Sequence, residues 1–173
     1  MLEATDFLGV LHESDLEWLV ANSNEHDVPP GRVLIRHGEL VEFLYLIVDG
    51  AFDVTISLPA PRHIATLYAG ELAGEMSFVD LQPPSATVSA ATQSRVLAIV
   101  KSALLDKIRN DAGFGTRFYK GVAVLLADRL RSAYSLSTHS PAGVDPQVEM
   151  TKLEERYADI QRRLGLRRRA KSV

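Results

Sequence analysis

A chain of 173 residues with 46% hydrophobic and 24% charged side chains has the composition of one globular domain, which excludes a disordered or fibrous protein. Its formal charge of −3 offers no general basic field for nucleic acid, and the lack of cysteine excludes disulfides, thiolate metal sites and cysteine nucleophiles together. Residues 1–140 hold 11 basic and 17 acidic side chains, a net of −6, whereas residues 141–173 hold 8 and 5, a net of +3, so the tail is compositionally separate.

Glu3 and Asp6 stand where a signal peptide needs positive charge. The longest apolar runs, Val96–Val100 and Val122–Ala127, fall far short of the roughly 20 residues of a membrane helix, so no membrane span is expected. The expected location is the cytoplasm.

A short helical turn is expected over Thr5–Val10. Ser14-Asp15-Leu16-Glu17 has the pattern of a capping box, and Leu16, Leu19 and Val20 share a face, which predicts a helix over Asp15–Asn22 with Trp18 off the stripe. Pro29-Pro30-Gly31 then marks a turn before a short strand, Arg32–Arg36. Phe43–Val48 and Ala51–Leu58 flank Asp49-Gly50, a dipeptide that suits a hairpin turn with positive φ at both central residues. Pro59-Ala60-Pro61, Gly70 and Pro83-Pro84 mark further turns around strands Arg62–Tyr68, Ser85–Ala91 and Arg95–Val100. Short strands at near-regular spacing predict an antiparallel roll or sandwich.

After Val100 the helical period returns. Ser102 is placed to cap Ala103–Arg109, Asn110–Gly115 reads as a break, and a long helix is expected over Gly115–Leu136. Its apolar residues Phe114, Phe118, Val122, Leu125, Leu126, Leu130 and Tyr134 form a stripe wide enough for the roll on one side and a second subunit on the other. Ser137–Asp145 reads as a linker. Thr151-x-x-Glu154 is a second capping box, followed by Leu153, Tyr157, Ile160 and Leu164 at spacings of four, three and four. Arg167-Arg168-Arg169 and Lys171 end a basic tail that packs on the body or, through residues 147–171, recruits a protein partner.

No set of residues has the spacing of a catalytic or metal centre. His12, His26, His37, His63 and His139 are scattered, Met76-Ser77-Phe78 lacks the glycines of a nucleophile elbow, and Gly70-x-x-x-Gly74 is not followed by Lys-Ser/Thr. Neither an enzyme nor a bound metal is expected. The informative segment is Gly70-Glu71-Leu72-Ala73-Gly74-Glu75-Met76-Ser77-Phe78-Val79, followed by DLQPPSATV from Asp80 to Val88. A glycine turn opening into a short helix presents unpaired backbone N–H groups to an anion, Glu75 offers an acceptor for hydroxyls, and Ser85 adds a donor.

Gly74–Val88 resembles the phosphate-binding cassette of the cyclic-nucleotide-binding domain family, as in catabolite activator protein and the regulatory subunits of cyclic-AMP-dependent kinase. Val48-Asp49-Gly50 and Gly38-Glu39 are similar to that family's hairpin and its earlier turn. The resemblance implies leading helices and a jelly-roll-like antiparallel β-roll of about eight strands over residues 1–137, followed by two helices. It implies that Glu75 bonds a ribose 2′-hydroxyl, that Ser85 and the N–H groups of Gly74–Met76 contact a cyclic phosphate, and that Ala86 and Thr87 complete the ligand-binding stretch. No separate cofactor is implied beyond the ligand itself, cAMP, cGMP or another cyclic nucleotide.

The family's phosphate-pairing arginine is replaced here by Pro84. Proline has neither charge nor N–H donor, whereas hydrogen bonds to a charged group are worth roughly 1.5–3 kcal/mol each. Three outcomes follow. Arg36, Arg62 or Arg95 reaches the cradle from a neighbouring strand; or the pocket takes a different small anion, such as a cyclic dinucleotide; or the roll is a dimerising scaffold with a vestigial pocket. The family's DNA-binding module follows the long helix, and residues 138–173 are too few for it. The expectation is therefore a stand-alone regulatory sensor, a homodimer through Gly115–Leu136, with residues 138–173 as linker and basic tail.

Overall fold

The computed structural model describes residues 7–57 and 59–138, together with Thr151, Glu155 and residues 158–166. Glu3, Thr5, Asp6, Leu58, His139, Leu153, Glu154, Tyr157 and the Arg167–Lys171 run lie outside the described residues, as does most of the expected linker.

Two short helices lead: α1 (Phe7–Val10) and α2 (Glu13–Ala21). The cap of α2 lies two residues before the expected Ser14. His12 is the N-cap, and its backbone N–H donates to Asp15 Oδ2 at 2.9 Å, so Asp15 supplies the reciprocal bond assigned above to Glu17. Trp18, off the expected stripe, is nevertheless half-buried with its ring edge-on to Phe114.

Among the described residues, eight strands form two four-stranded antiparallel sheets, the roll expected from the strand spacing. One sheet runs β1 (Ser23–Val28), β8 (Ser94–Val100), β3 (Phe43–Asp49), β6 (Leu72–Ala73). The other runs β2 (Val33–Ile35), β7 (Thr87–Ala90), β4 (Ala51–Ile56), β5 (Arg62–Tyr68). The expected hairpin at Asp49-Gly50 does not form. β3 pairs with β8 and β6, whereas β4 pairs with β5 and β7, so the chain turns a corner from one sheet into the other. Only Gly50 of the pair has positive φ, at 83°, and a Cβ there would lie 2.7 Å from the Ser94 Cα. Glycine is required at this corner by space as well as by dihedral.

The sheet containing β3 and β8 is covered on both faces, which is why both strands read as continuous apolar runs. Leu44, Leu46, Val48, Leu97 and Ile99 join the helices in one core. Ile47, Val96 and the half-buried Tyr45 face the roll interior with Phe52, Leu67 and Val88.

α4 (Lys101–Asn110) follows β8 without a loop, with extended Val100 as its N-cap in place of Ser102. The expected break shrinks to Asp111, whose Oδ1 accepts the Phe114 N–H at 2.9 Å and starts α5 (Ala112–Thr138). Gly115 lies inside α5, where a Cβ would stand 3.0 Å from Ile108 Cγ2; it permits close packing on α4 and does not interrupt the helix. Phe114, Phe118, Val122 and Leu125 of α5 are buried against α1, α2 and α3 (Glu75–Val79). Ile160 and Leu164 of the C-terminal segment are buried in that same core.

Candidate functional site

β6 sets the position of the glycine turn. Its two residues pair with the middle of β3, Ala73 with Tyr45 and Leu72 with Leu46, and the chain then leaves the sheet at Gly74. Gly74 has φ 89°, a left-handed conformation, and acts as the N-cap of α3. Its carbonyl accepts the Phe78 N–H at 3.1 Å. The N–H groups of Glu75, Met76 and Ser77 occupy the first turn, where no preceding helical carbonyl exists to receive them. A Cβ on Gly74 would lie 3.3 Å from the Phe43 carbonyl and 3.4 Å from Ile35 Cδ1, so the glycine also admits the β2 side chain.

Ile35 joins the two halves of the cassette, because it is the register partner of Val88 on β7. The Gly38 N–H donates to the Pro84 carbonyl at 2.8 Å and the His37 N–H to Thr87 Oγ1 at 3.1 Å. The Gly38-Glu39 turn is thus bound to the stretch holding Ser85, Ala86 and Thr87. Ser85 and Met76 are exposed, Gly74, Ala86 and Thr87 are half-buried, and Glu75 is 3% exposed. Between the halves, Asp80 Oδ1 accepts the Gln82 N–H at 2.9 Å and Leu81 takes positive φ, 59°.

The arginine that meets Glu75 comes from α5. Arg129 Nη1 donates to Glu75 Oε1, and Nη2 donates to the Leu72 carbonyl at 2.7 Å and lies 3.6 Å from Glu71 Oε1. Among the described residues, the buried Arg129 Nε meets no hydrogen-bond partner. Burial pushes the Glu75 carboxyl above its ordinary value, against the attraction of Arg129. Lys101, at the start of α4, is shifted down by burial, opposed by the attraction of Glu75 and Asp80. The site therefore has two cations close to α3, neither of them from the cassette.

Of the three arginines named from sequence, two are placed away from the cassette. Arg95 is buried and donates to Glu25 Oε1 at 2.9 Å, in register with Asp49 at the end of β3 remote from Phe43. Arg62 is exposed on edge strand β5, opposite Ile56. Arg36 alone lies beside the cassette, exposed between Ile35 and His37. Sequence reasoning missed Arg129 because its partner is 54 positions away and nothing local marks it. Tyr45 was also missed as a lining residue; alternation within β3 assigns it to the roll interior, where burial raises its hydroxyl above the ordinary value. Among the described residues, no group of side chains is arranged to hold a metal ion.

The profile of the family described as "Cyclic nucleotide-binding domain" matches residues 25–111. A cyclic nucleotide-gated potassium channel of Rhizobium etli is 39% identical over 72 residues, which are 42% of this chain and 19% of the channel. The cyclic AMP receptor protein of Thermus thermophilus is 34% identical over 107 residues, 61% of this chain and 48% of that protein. The chain thus spans between a fifth and a half of these relatives. Among solved structures, a cyclic nucleotide-binding domain from Methylobacillus flagellatus superimposes with TM-score 0.69 at 24% identity, covering 78% of each chain. The Thermus thermophilus catabolite activator protein does so with TM-score 0.63 at 22% identity, covering 92% of this chain and 86% of that one. At these identities the two structures speak for the fold.

Proposed function

The chain belongs to the cyclic nucleotide-binding domain family, and from that premise we propose that it is a cytoplasmic regulatory sensor that takes a cyclic nucleotide or related small phosphate at Gly74–Thr87 and signals through its C-terminal helices. The observation that carries this reading is the pairing of the α3 first turn with the Ser85–Thr87 stretch across Ile35. The amides of Glu75 and Met76 supply donors for phosphate oxygens, and Ser85 adds a hydroxyl. Glu75 is the acceptor for a ribose hydroxyl, and that role competes with its bond to Arg129. No catalytic step is part of the proposal, in keeping with a regulatory family. No helix among the described residues is long and apolar enough to cross a membrane.

Signalling follows from packing. Phe78 of α3 lies against Phe118 of α5 with ring centroids 5.7 Å apart, so a ligand that shifts α3 acts directly on the long helix. The outer side of α5 exposes Tyr119, Leu130 and Tyr134, and it is there that a second copy packs to form the homodimer.

Calorimetry with cAMP, cGMP and cyclic di-GMP tests the reading. Binding to one of them that Glu75→Ala abolishes is the expected result. Silence across the panel from folded protein favours the second reading, a dimerising scaffold with a vestigial pocket, which the replacement of the cassette arginine by Pro84 supports.

A further inference from the structure

We infer that the Tyr45 hydroxyl donates to the ligand's phosphate in place of the arginine that Pro84 displaces, so that a neutral donor stands in for a charged one. This rests on the ligand reading above and assigns to that site a residue from outside the cassette.

The cations around the cassette do not fill the gap. Arg129 is held by the Glu75 carboxylate and the Leu72 carbonyl. Lys101 is drawn to Glu75 and Asp80, and burial disfavours its charge. Arg36 is exposed, one residue beyond the Ile35 side chain that reaches Gly74.

Tyr45 is brought to the cassette by strand register. It pairs with Ala73, the last residue before the chain leaves the sheet at Gly74, and such partners have Cα atoms about 4.5–5.5 Å apart. Its side chain stands on the interior face of β3, in one cluster with Ile35, Val41 and Val88. Ile35 and Val41 would lie 3.4 and 3.9 Å from a Cβ on Gly74, so the phenol and the glycine turn share their neighbours. Val88 closes the cassette on the facing sheet. Facing sheets pack about 10 Å apart, and a tyrosine standing on one of them carries its hydroxyl into the space between. Phe43, on the same side of β3, lies with its ring centroid 6.0 Å from that of Tyr45.

The hydroxyl is what sets Tyr45 apart from its aliphatic neighbours. Among the described residues it has no hydrogen-bond partner, although the ring is half-buried in an apolar cluster. Burial is the one cause that pushes the phenol above its ordinary value of 10.0, and no hydrogen bond contributes. A tyrosine hydroxyl so placed ordinarily finds a partner. Protonated at neutral pH, it can donate to a phosphate oxygen, and the apolar walls strengthen that bond by excluding water.

Calorimetric titration of the full chain with cAMP and with cGMP, wild type beside Tyr45→Phe, tests this. The variant removes one oxygen and keeps the ring. It is expected to weaken binding of whichever nucleotide the wild type takes by about tenfold or more. Its thermal midpoint is expected to equal or exceed that of the wild type, because without ligand the hydroxyl has no bond to lose. Equal affinity overturns the inference and leaves the cassette reading standing. A midpoint lowered by several degrees also overturns it, since the hydroxyl then serves the fold. Silence of the wild type toward both nucleotides overturns the cassette reading, and the role of Tyr45 with it.

Pro84→Arg tests the replacement itself. With a guanidinium restored, Tyr45→Phe is expected to cost about threefold or less, because two donors serving one phosphate are not additive. The same loss in both backgrounds would mean that hydroxyl and arginine serve different parts of the ligand, and would overturn the exchange of one for the other.

Discussion

Arg117 on α5 grips Asp15 on α2 through two parallel bonds, Nε to Oδ2 at 2.6 Å and Nη2 to Oδ1 at 2.8 Å, across 102 positions of sequence. Asp15 also accepts the His12 N–H, so one nearly buried carboxylate caps α2 and fastens that helix to α5. The bond to Arg117 is the chief reason its carboxyl is held below the ordinary value of 3.8. The resulting stabilisation is complete above that ordinary value and disappears as pH falls through the lowered one. Asp15→Asn is expected to lower the thermal midpoint by several degrees at neutral pH and to remove that part of the acid dependence. Thermal melts of both proteins between pH 2 and 7 check it.

Arg129→Gln tests the second long-range pair. It leaves the Glu75 carboxylate buried without its guanidinium, at an expected cost of about 2–4 kcal/mol near neutral pH. Burial already raises the Glu75 value above 4.5, and the substitution raises it further. Because a neutral carboxyl is easier to bury, the variant is expected to recover stability relative to wild type as pH falls and Glu75 protonates. Urea unfolding at pH 7.5 and 5 measures the difference; a loss that grows toward acid would contradict the assignment.

Pro84→Arg restores a cation to the cassette. The backbone there needs only its carbonyl, which holds the Gly38 N–H, so the fold should accept the change. Charge-assisted bonds from the new guanidinium are expected to tighten cAMP binding by about ten- to a hundredfold. Calorimetric titration of variant and wild type decides this, and an unchanged affinity would mean that more than the missing charge limits the site.

Gly50→Ala is expected to destabilise the roll by about 2 kcal/mol or more. The new methyl meets the Ser94 backbone at a left-handed dihedral that alanine avoids. The corner itself should survive, since the strands it joins are paired with other partners, so a lower denaturant midpoint with an unchanged slope is the signature to look for.

Leu130→Glu places a charge in the middle of the exposed apolar side of α5, where Leu130 is 57% and Tyr134 66% exposed. The variant is expected to sediment as a monomer under conditions where the wild type sediments as a dimer, with little change in the melting of each subunit. A wild type that is monomeric at every concentration would rule out the α5 interface.

How far the fold could be read in advance depended on how local its causes are. Strands β3, β5 and β8 announce themselves through apolar content and bounding turns, and their ends were found to within about a residue. β1 was invisible because Ser-Asn-Glu-His-Asp-Val is a polar edge strand whose partner is β8, over 60 positions away. β6 is two residues long and exists only because β3 pairs with it. The Asp49-Gly50 hairpin failed for a related reason: the dipeptide specifies a reversal but not which strand becomes the neighbour. At the site, the glycine turn and Glu75 were legible in the cassette motif. Arg129 was not, because it is placed by the packing of α5 as a whole.

The two-sided burial of β3 has an experimental consequence in the parity of its numbering. Even positions 44, 46 and 48 speak to the helices, and odd positions 45 and 47 speak to the chamber of the roll. Trimming Leu46 and trimming Ile47 are thus two separate probes one peptide unit apart, the first loosening the core shared with the helices and the second the core inside the roll. Adjacent codons thus reach two different cores through a single strand.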